Sequence, residues 1–307
     1  MQNIRLIDID SRIPNLALMQ LSAWHKSQGD NIGFDINNPD KIYVSCIFSK
    51  NADQARGIKT LYPDAEVILG GSGIDLHKWI HPGAQKIKPD YNLYPKMRYS
   101  LGFTTRGCIR NCPFCIVPEK EGKFQRWQHI SEFYDERFKS VIVLDNNITA
   151  DKDWFFENTN FILEKNLKFN AIQGLDIRIL NEETTTRLKE LKWDGNIHFA
   201  WDNLSDEKAV RKGIHLLKDA GLNLKQNIQF YVLTGFNTSI EDDIYRCNTL
   251  KELGTNAFVM QYRKSPYTQA LARWANRKHL FWGIDFQDYQ RIPTALKSRD
   301  PNIAVLT

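Results

Sequence analysis

The chain lacks any run of about 18 apolar residues, so no membrane-spanning helix is expected. Its first residues, MQNIRLIDIDSR, carry acids early and contain no apolar stretch of the kind that opens a secretory signal, so a cytoplasmic location is expected. Cysteine is scarce, with five in 307 residues. So few thiols do not make a disulfide framework, and Cys108, Cys112 and Cys115 stand too close together for good disulfide geometry. A reducing compartment and a metal-binding or catalytic use of these thiols follow as expectations. Low-complexity segments and solenoid repeats are absent. Acidic residues are missing from Leu253 to Ile284, where Arg263, Lys264, Arg273, Arg277 and Lys278 alternate with Tyr262, Tyr267, Trp274, Phe281 and Trp282. Such a stretch suits either a nucleic-acid surface, through phosphate contacts and base stacking, or a solvated helix whose aromatic side covers the domain.

What is present is an ordinary globular composition, 42% hydrophobic and 25% charged, long enough for two domains. Apolar patterning predicts strands at 3–9, 31–36, 41–49 and 66–73, with helices at 16–30 and 52–65. That order is a small Rossmann-like α/β unit over residues 1–82 with a mainly parallel sheet. A proline-bearing linker, 83–97, follows. From 98 to 265 strands at 99–104, 140–147, 168–175, 196–203, 227–236 and 256–263 alternate with helices, several of which end in Asn or Gly, as at Asn166, Gly195, Gly221 and Gly254. This alternation predicts a parallel, partly or wholly closed β/α barrel, whose functional groups lie at the C-terminal strand ends. Residues 266–307 form a basic, aromatic extension.

The stretch TRGCIRNCPFCIVP (105–118) follows the first barrel strand. Three thiolates spaced Cys-x3-Cys-x2-Cys can bind three irons of a cubane cluster and leave the fourth open, since such clusters ordinarily take four cysteines. Zinc is the rival metal, though its sites more often use paired Cys-x2-Cys units or histidine. Arg106 and Arg110 can offset the charge of a thiolate-ligated cluster, and Phe114 can shield it. Cys46, in a strand with Val44 and Ile47, and Cys247, on an outer helix, read as buried structural thiols.

TRGCIRNCPFCIVP resembles the cluster loop of the radical S-adenosylmethionine (radical SAM) superfamily. HFAWDNLSDEKAVRKGIHLLKDAGL (198–222) and YVLTGFNTSIEDDI (231–244) are similar to the fourth-strand and fifth-strand segments of the class with an N-terminal cobalamin-binding-like domain. In all, the resemblance spans roughly residues 95–265. It implies a partial (β/α)6 barrel in which Cys108, Cys112 and Cys115 hold a 4Fe–4S cluster and S-adenosylmethionine binds the open iron. It also implies reductive cleavage to a 5′-deoxyadenosyl radical that abstracts hydrogen from an unidentified substrate, with electrons from a donor such as flavodoxin or ferredoxin. The cofactor contacts it implies are Phe114, Asn146, Asn147, Gln173, Asp202, Asn203, Gly235 and Tyr262.

PDKIYVSCIFSKNADQARGIKTLYPDAEVILGGSGID (39–75) is similar in layout to the cobalamin-binding-like domain. The place of that domain's Asp-x-His-x-x-Gly motif reads GFDINNPD and has no histidine, which speaks against cobalamin held through a histidine. Cobalamin without a protein ligand, near Gly70, Gly71 and Gly73, stays open, and with it a cobalamin-dependent methyltransferase. His25 and His81 read as surface or packing residues. Asp176 and Arg178 stand in reversed order relative to the class, as a local salt bridge would allow. A non-catalytic iron–sulfur or zinc protein that binds nucleic acid through 262–282 is the alternative from a different class.

Overall fold

Alternating burial along short strands, with amphipathic helices between them, gives the chain an α/β architecture of parallel sheets. The computed structural model describes residues 1–291, and the extension beyond Arg291 lies outside the described residues. Two compact units are present: Met1–Asn146 with Asn160–Phe169, and Asn147–Thr159 with the residues from Asn170 onward. No helix among the described residues is long and apolar enough to cross a membrane.

In the first unit β1 (Asn3–Asp8), α1 (Leu16–Ser27), β2 (Asn31–Gly33), β3 (Lys41–Ser45), α2 (Ala52–Leu61) and β4 (Glu66–Gly70) form a parallel sheet of order β2-β1-β3-β4. Register pairs include Ile4 with Ile32, Leu6 with Tyr43 and Val44 with Leu69. Because side chains alternate across a strand, the sheet buries two faces. Ile4 and Leu6 pack with Leu18, Met19 and Leu21 of α1, while Ile42 and Val44 pack with Ala55 of α2. Each fully buried Ile or Leu contributes about 1.5–3 kcal/mol.

The strands are shorter than the apolar runs predict, for identifiable reasons. The run 41–49 stops at Ser45 because the Asp10 carboxylate accepts from Ile47 N (2.7 Å), Phe48 N (3.0 Å) and Asn51 Nδ2 (2.9 Å), which turns the chain off the sheet. The run 66–73 stops at Gly70. Gly71 then takes φ +94 beside Cys46, where a Cβ would lie 2.3 Å from the Cys46 carbonyl oxygen, so close approach requires glycine.

Further along the first unit come β5 (Ser100–Gly102), β6 (Thr105–Arg106), α3 (Val117–Glu121), β7 (Gln125–Arg126), α4 (Ile130–Phe133) and β8 (Ser140–Val143). β5 pairs in parallel with β8, and β6 pairs antiparallel with β7. Helix α5 (Lys152–Glu164) and strand β9 (Lys168–Ala171) each run from one unit into the other along the chain.

The second unit holds α6 (Glu182–Glu190), β10 (Lys192–Trp193), β11 (Ile197–Ala200), α7 (Glu207–Asp219), α8 (Leu224–Asn227), β12 (Ile228–Thr234), α9 (Ile240–Glu252) and β13 (Asn256–Gln261). β11, β12 and β13 form a parallel sheet in that order. Ile228, Phe230, Val232 and Thr234 bury one face of β12, and the residues between them are half-buried. Capping boxes start α6 at Asn181 and α9 at Ser239, where side chain and backbone satisfy each other's free donors.

Three further helices, α10 (Pro266–Ala275), α11 (Lys278–Gly283) and α12 (Phe286–Arg291), complete the unit. Trp274, Phe281, Phe286 and Tyr289 are buried there. Asn276 closes the free edge of β13 by accepting from Val259 N (2.6 Å) and donating to its carbonyl (3.1 Å). Trp282 donates to Asn256 Oδ1 (2.9 Å). Most aromatic side chains of the basic stretch are thus engaged in packing against β13 and α9; Tyr262 is the exception, half exposed.

Candidate functional site

The cysteine loop runs from β6 to α3 in the first unit, and both of its ends are clamped. Before it, the buried Asp145 carboxylate accepts from Thr104 N (3.0 Å), Thr104 Oγ1 (2.8 Å), Thr105 Oγ1 (2.5 Å) and Thr105 N. Burial pushes the Asp145 carboxyl up from its ordinary value, and these donors oppose that shift. At the far end Glu121 reaches back to the start of the loop. It pairs with Arg106 (3.0 Å) and accepts from Gly107 N (2.9 Å) and Asn146 Nδ2 (2.9 Å).

Gly107 has φ +71, and a Cβ there would lie 2.2 Å from the Lys123 carbonyl oxygen. Gly107→Ala is therefore expected to cost about 1–3 kcal/mol of backbone strain plus a steric clash. Gly29→Ala, at φ +83 with open space around it, carries strain alone. Urea unfolding of both variants should show the larger loss for Gly107→Ala, and equal losses would contradict this reading of the loop.

Within the loop Cys108, Cys112 and Cys115 are partly exposed and form no disulfide. Two of the sulfurs face backbone donors: Arg110 N to Cys108 Sγ (3.4 Å) and Val117 N to Cys115 Sγ (3.5 Å). Such donors tune a bound cluster. Cys115 N also donates to the Cys112 carbonyl (3.0 Å), which tightens the turn. Among the described residues no three His, Cys, Asp or Glu side chains converge as a ready metal site. The donor set suits a thiophilic metal, and binding requires the loop to draw its three sulfurs together. Phe114 is half-buried beside Cys115 in sequence.

The two remaining thiols are of a different kind. Cys46 is buried against the Phe48 carbonyl (3.3 Å), and burial raises its thiol. Burial pushes the Cys247 thiol up to about 12. Neither is a ready thiolate.

The second unit carries its own polar constellation after β11 and β12. Arg246 is fully buried. It donates to the carbonyls of Trp201 (2.6 Å) and Leu233 (2.9 Å) and pairs with Asp243 (2.5 Å), so one guanidinium ties two strand ends together. Asp202 accepts from Leu233 N (3.0 Å), and burial raises its carboxyl against the pull of Arg246 and Arg178. Arg178 pairs with Asp176 (2.7 Å) and Asp206 (3.2 Å), the local salt bridge that the reversed order suggested. On the half-buried face His198 stacks on Tyr231 at 4.9 Å and 3°.

The other expected contact residues divide by environment. Asn146 joins the Glu121 cluster beside the cysteine loop. Asn147 is buried and bonds Asp176 (3.5 Å) and Thr149 (3.1 Å). Gln173 and Asn203 are exposed. Gly235 has φ +76, with the Arg263 carbonyl 3.1 Å from where a Cβ would stand. The Tyr262 ring meets Phe236 edge-on at 4.7 Å. Sequence reading missed Glu121, Asp145 and Arg246. Of these only Glu121 left a trace, as an acid closing the helix that follows the cysteines.

A cavity of about 540 Å³ opens in the first unit, between α1, β3, β4 and the segment 78–81. Gly70 lines it and leaves open space at its Cβ position. His25 is buried in its wall, bonded to Asp30 (2.8 Å) and Tyr43 (3.0 Å), and His81 stacks on Trp24 (4.3 Å). Both histidines are packing groups.

No protein-family model matches the chain, and no characterised protein matches it in sequence.

Proposed function

We propose that the chain is a radical SAM enzyme whose first unit begins with a Rossmann-like domain and whose strands β5, β8, β9, β11, β12 and β13 belong to a partial (β/α)6 barrel. The observation that carries this reading is the clamped three-cysteine loop, with backbone donors on two of its sulfurs, just beyond parallel strand β5. Cys108, Cys112 and Cys115 would hold a 4Fe–4S cluster, which when bound supplies the electron that splits S-adenosylmethionine into methionine and a 5′-deoxyadenosyl radical. Glu121 fixes the base of the loop through Arg106 and Gly107. Asp202, Gly235 and Tyr262 of the second unit are contacts to S-adenosylmethionine that the sequence resemblance implies.

The test is anaerobic reconstitution with iron and sulfide, reduction with dithionite, and chromatography of the products. Formation of 5′-deoxyadenosine that depends on the reductant is expected. A fully loaded, reduced sample that leaves S-adenosylmethionine intact would sink the proposal.

A second reading, a cobalamin-dependent methyltransferase, draws support from the 540 Å³ cavity beside Gly70. With His25 engaged by Asp30 and Tyr43, the cobalt would have no protein ligand from that residue. Hydroxocobalamin should then change its visible spectrum on titration with the chain, and Gly70→Phe should abolish the change by filling the space. An unaltered spectrum removes this reading.

A further inference from the structure

A second, smaller cavity in the first unit, of about 200 Å³, has walls drawn from α1, the segment 71–80 and both flanks of the cysteine loop. Its apolar walls combine three aromatic rings, Phe103, Trp79 and Trp127, with the aliphatic Leu16, Leu76 and Ile80. Its charged lining is mainly cationic, with Lys78, Arg106 and Lys120 against Asp75 alone, and neutral amides and hydroxyls make up the rest of the polar wall. Asp75 is engaged in its own turn, accepting from His77 N (2.8 Å).

The two inner cations are not fully answered by protein. Lys120 donates to Ser72 Oγ (2.7 Å) and meets no carboxylate at ion-pair distance among the described residues. Burial pulls its ammonium down from its ordinary value. Arg106 gives one edge to Glu121 (3.0 Å), but its Nε is buried with no partner. The Arg106 guanidinium lies 3.8 Å from the Phe103 ring centre and 4.7 Å from that of Trp79. A buried donor without a partner costs about 1–3 kcal/mol, and a half-buried ammonium with only a hydroxyl beside it is costly too. A ligand that supplies an anion recovers both costs, and aromatic walls favour a flat apolar body.

We infer that this cavity binds an aromatic or similarly planar compound through a phosphate or carboxylate that Lys120 and Arg106 receive. Its position beside the cysteine loop makes the anion a handle on the substrate; that role, unlike the binding site itself, rests on the radical SAM reading.

The experiment is calorimetric titration of the reconstituted 307-residue chain with phenyl phosphate, benzoate, inorganic phosphate and phenol. Phenyl phosphate or benzoate should bind about tenfold or more tightly than phenol or free phosphate, and the better of the two identifies the head group. Lys120→Met should weaken that binding about tenfold, with the circular dichroism spectrum unchanged. Should that variant fail to fold, Trp127→Leu serves instead, and phenyl phosphate should fall toward the affinity of free phosphate. Equal binding of phenol, no binding of either aryl anion, or unaltered affinity in the folded variants would overturn the site. S-Adenosylmethionine cleavage is assayed in the same samples. Anion binding without cleavage defeats the radical reading and the substrate role while the site stands; cleavage without anion binding defeats the site.

Discussion

Cys112→Ala is expected to lose bound iron and all reductive cleavage of S-adenosylmethionine. Cys112 would be the central ligand of the proposed cluster, and its carbonyl also holds Cys115 N at 3.0 Å. With only three local thiols, no neighbour can replace it. Cys46 and Cys247 are buried, and burial raises both thiols. Even partners behind a metal ligand typically cost about 10–100-fold when lost, so loss of a ligand should exceed 100-fold in 5′-deoxyadenosine formation. Iron per chain should fall from about four toward zero. Cys247→Ala, by contrast, should keep its iron. Full iron loading of Cys112→Ala would mean that the three cysteines are not the ligands.

The second large effect concerns stability. Arg246→Met should destabilise the second unit by about 3–5 kcal/mol, because it strands a buried carboxylate and two strand-end carbonyls. Asp243 is 2% exposed, and its remaining side-chain donor is Thr238 Oγ1 at 2.7 Å. Burial already raises the Asp243 carboxyl, and removing Arg246 takes away the charge that opposes this. The double variant Arg246→Met/Asp243→Asn should recover part of the loss, since the uncompensated charge is gone. Denaturant unfolding of the single and double variants measures this. Strictly additive losses would show that the ion pair is not the source.

Much of the first sheet was legible because β1 and β3 lie in short, nearly continuous apolar runs, and α1 and α2 carry helical sequence between them. Strand ends were not legible. They depend on Asp10, whose carboxylate gathers donors from Ile47, Phe48 and Asn51, residues distant in sequence. HISEFYDERF (129–138) suggests a helix in sequence, but α4 spans only Ile130–Phe133, and Asp135 N donates instead to Ser100 Oγ (2.9 Å). The β6–β7 pair is two residues on each strand, too short for any periodicity. In the candidate site the cysteine spacing was visible at once, but its clamps were not. Glu121 and Asp145 look like ordinary surface acids in a sequence, and only folding sets them against Arg106, Gly107, Thr104 and Thr105. The basic aromatic stretch allowed two readings because charge and ring spacing do not say which way the rings face. Trp274 and Phe281 face inward because β13 has an edge to cover.

The most direct test of the central claim is the electron paramagnetic resonance spectrum of the reconstituted, dithionite-reduced protein, recorded with and without S-adenosylmethionine. An open iron in a cluster held by Cys108, Cys112 and Cys115 predicts the signal of a reduced 4Fe–4S cluster whose g values shift when S-adenosylmethionine is added. A cluster signal indifferent to S-adenosylmethionine, or a chain that takes up zinc and no iron, would contradict it.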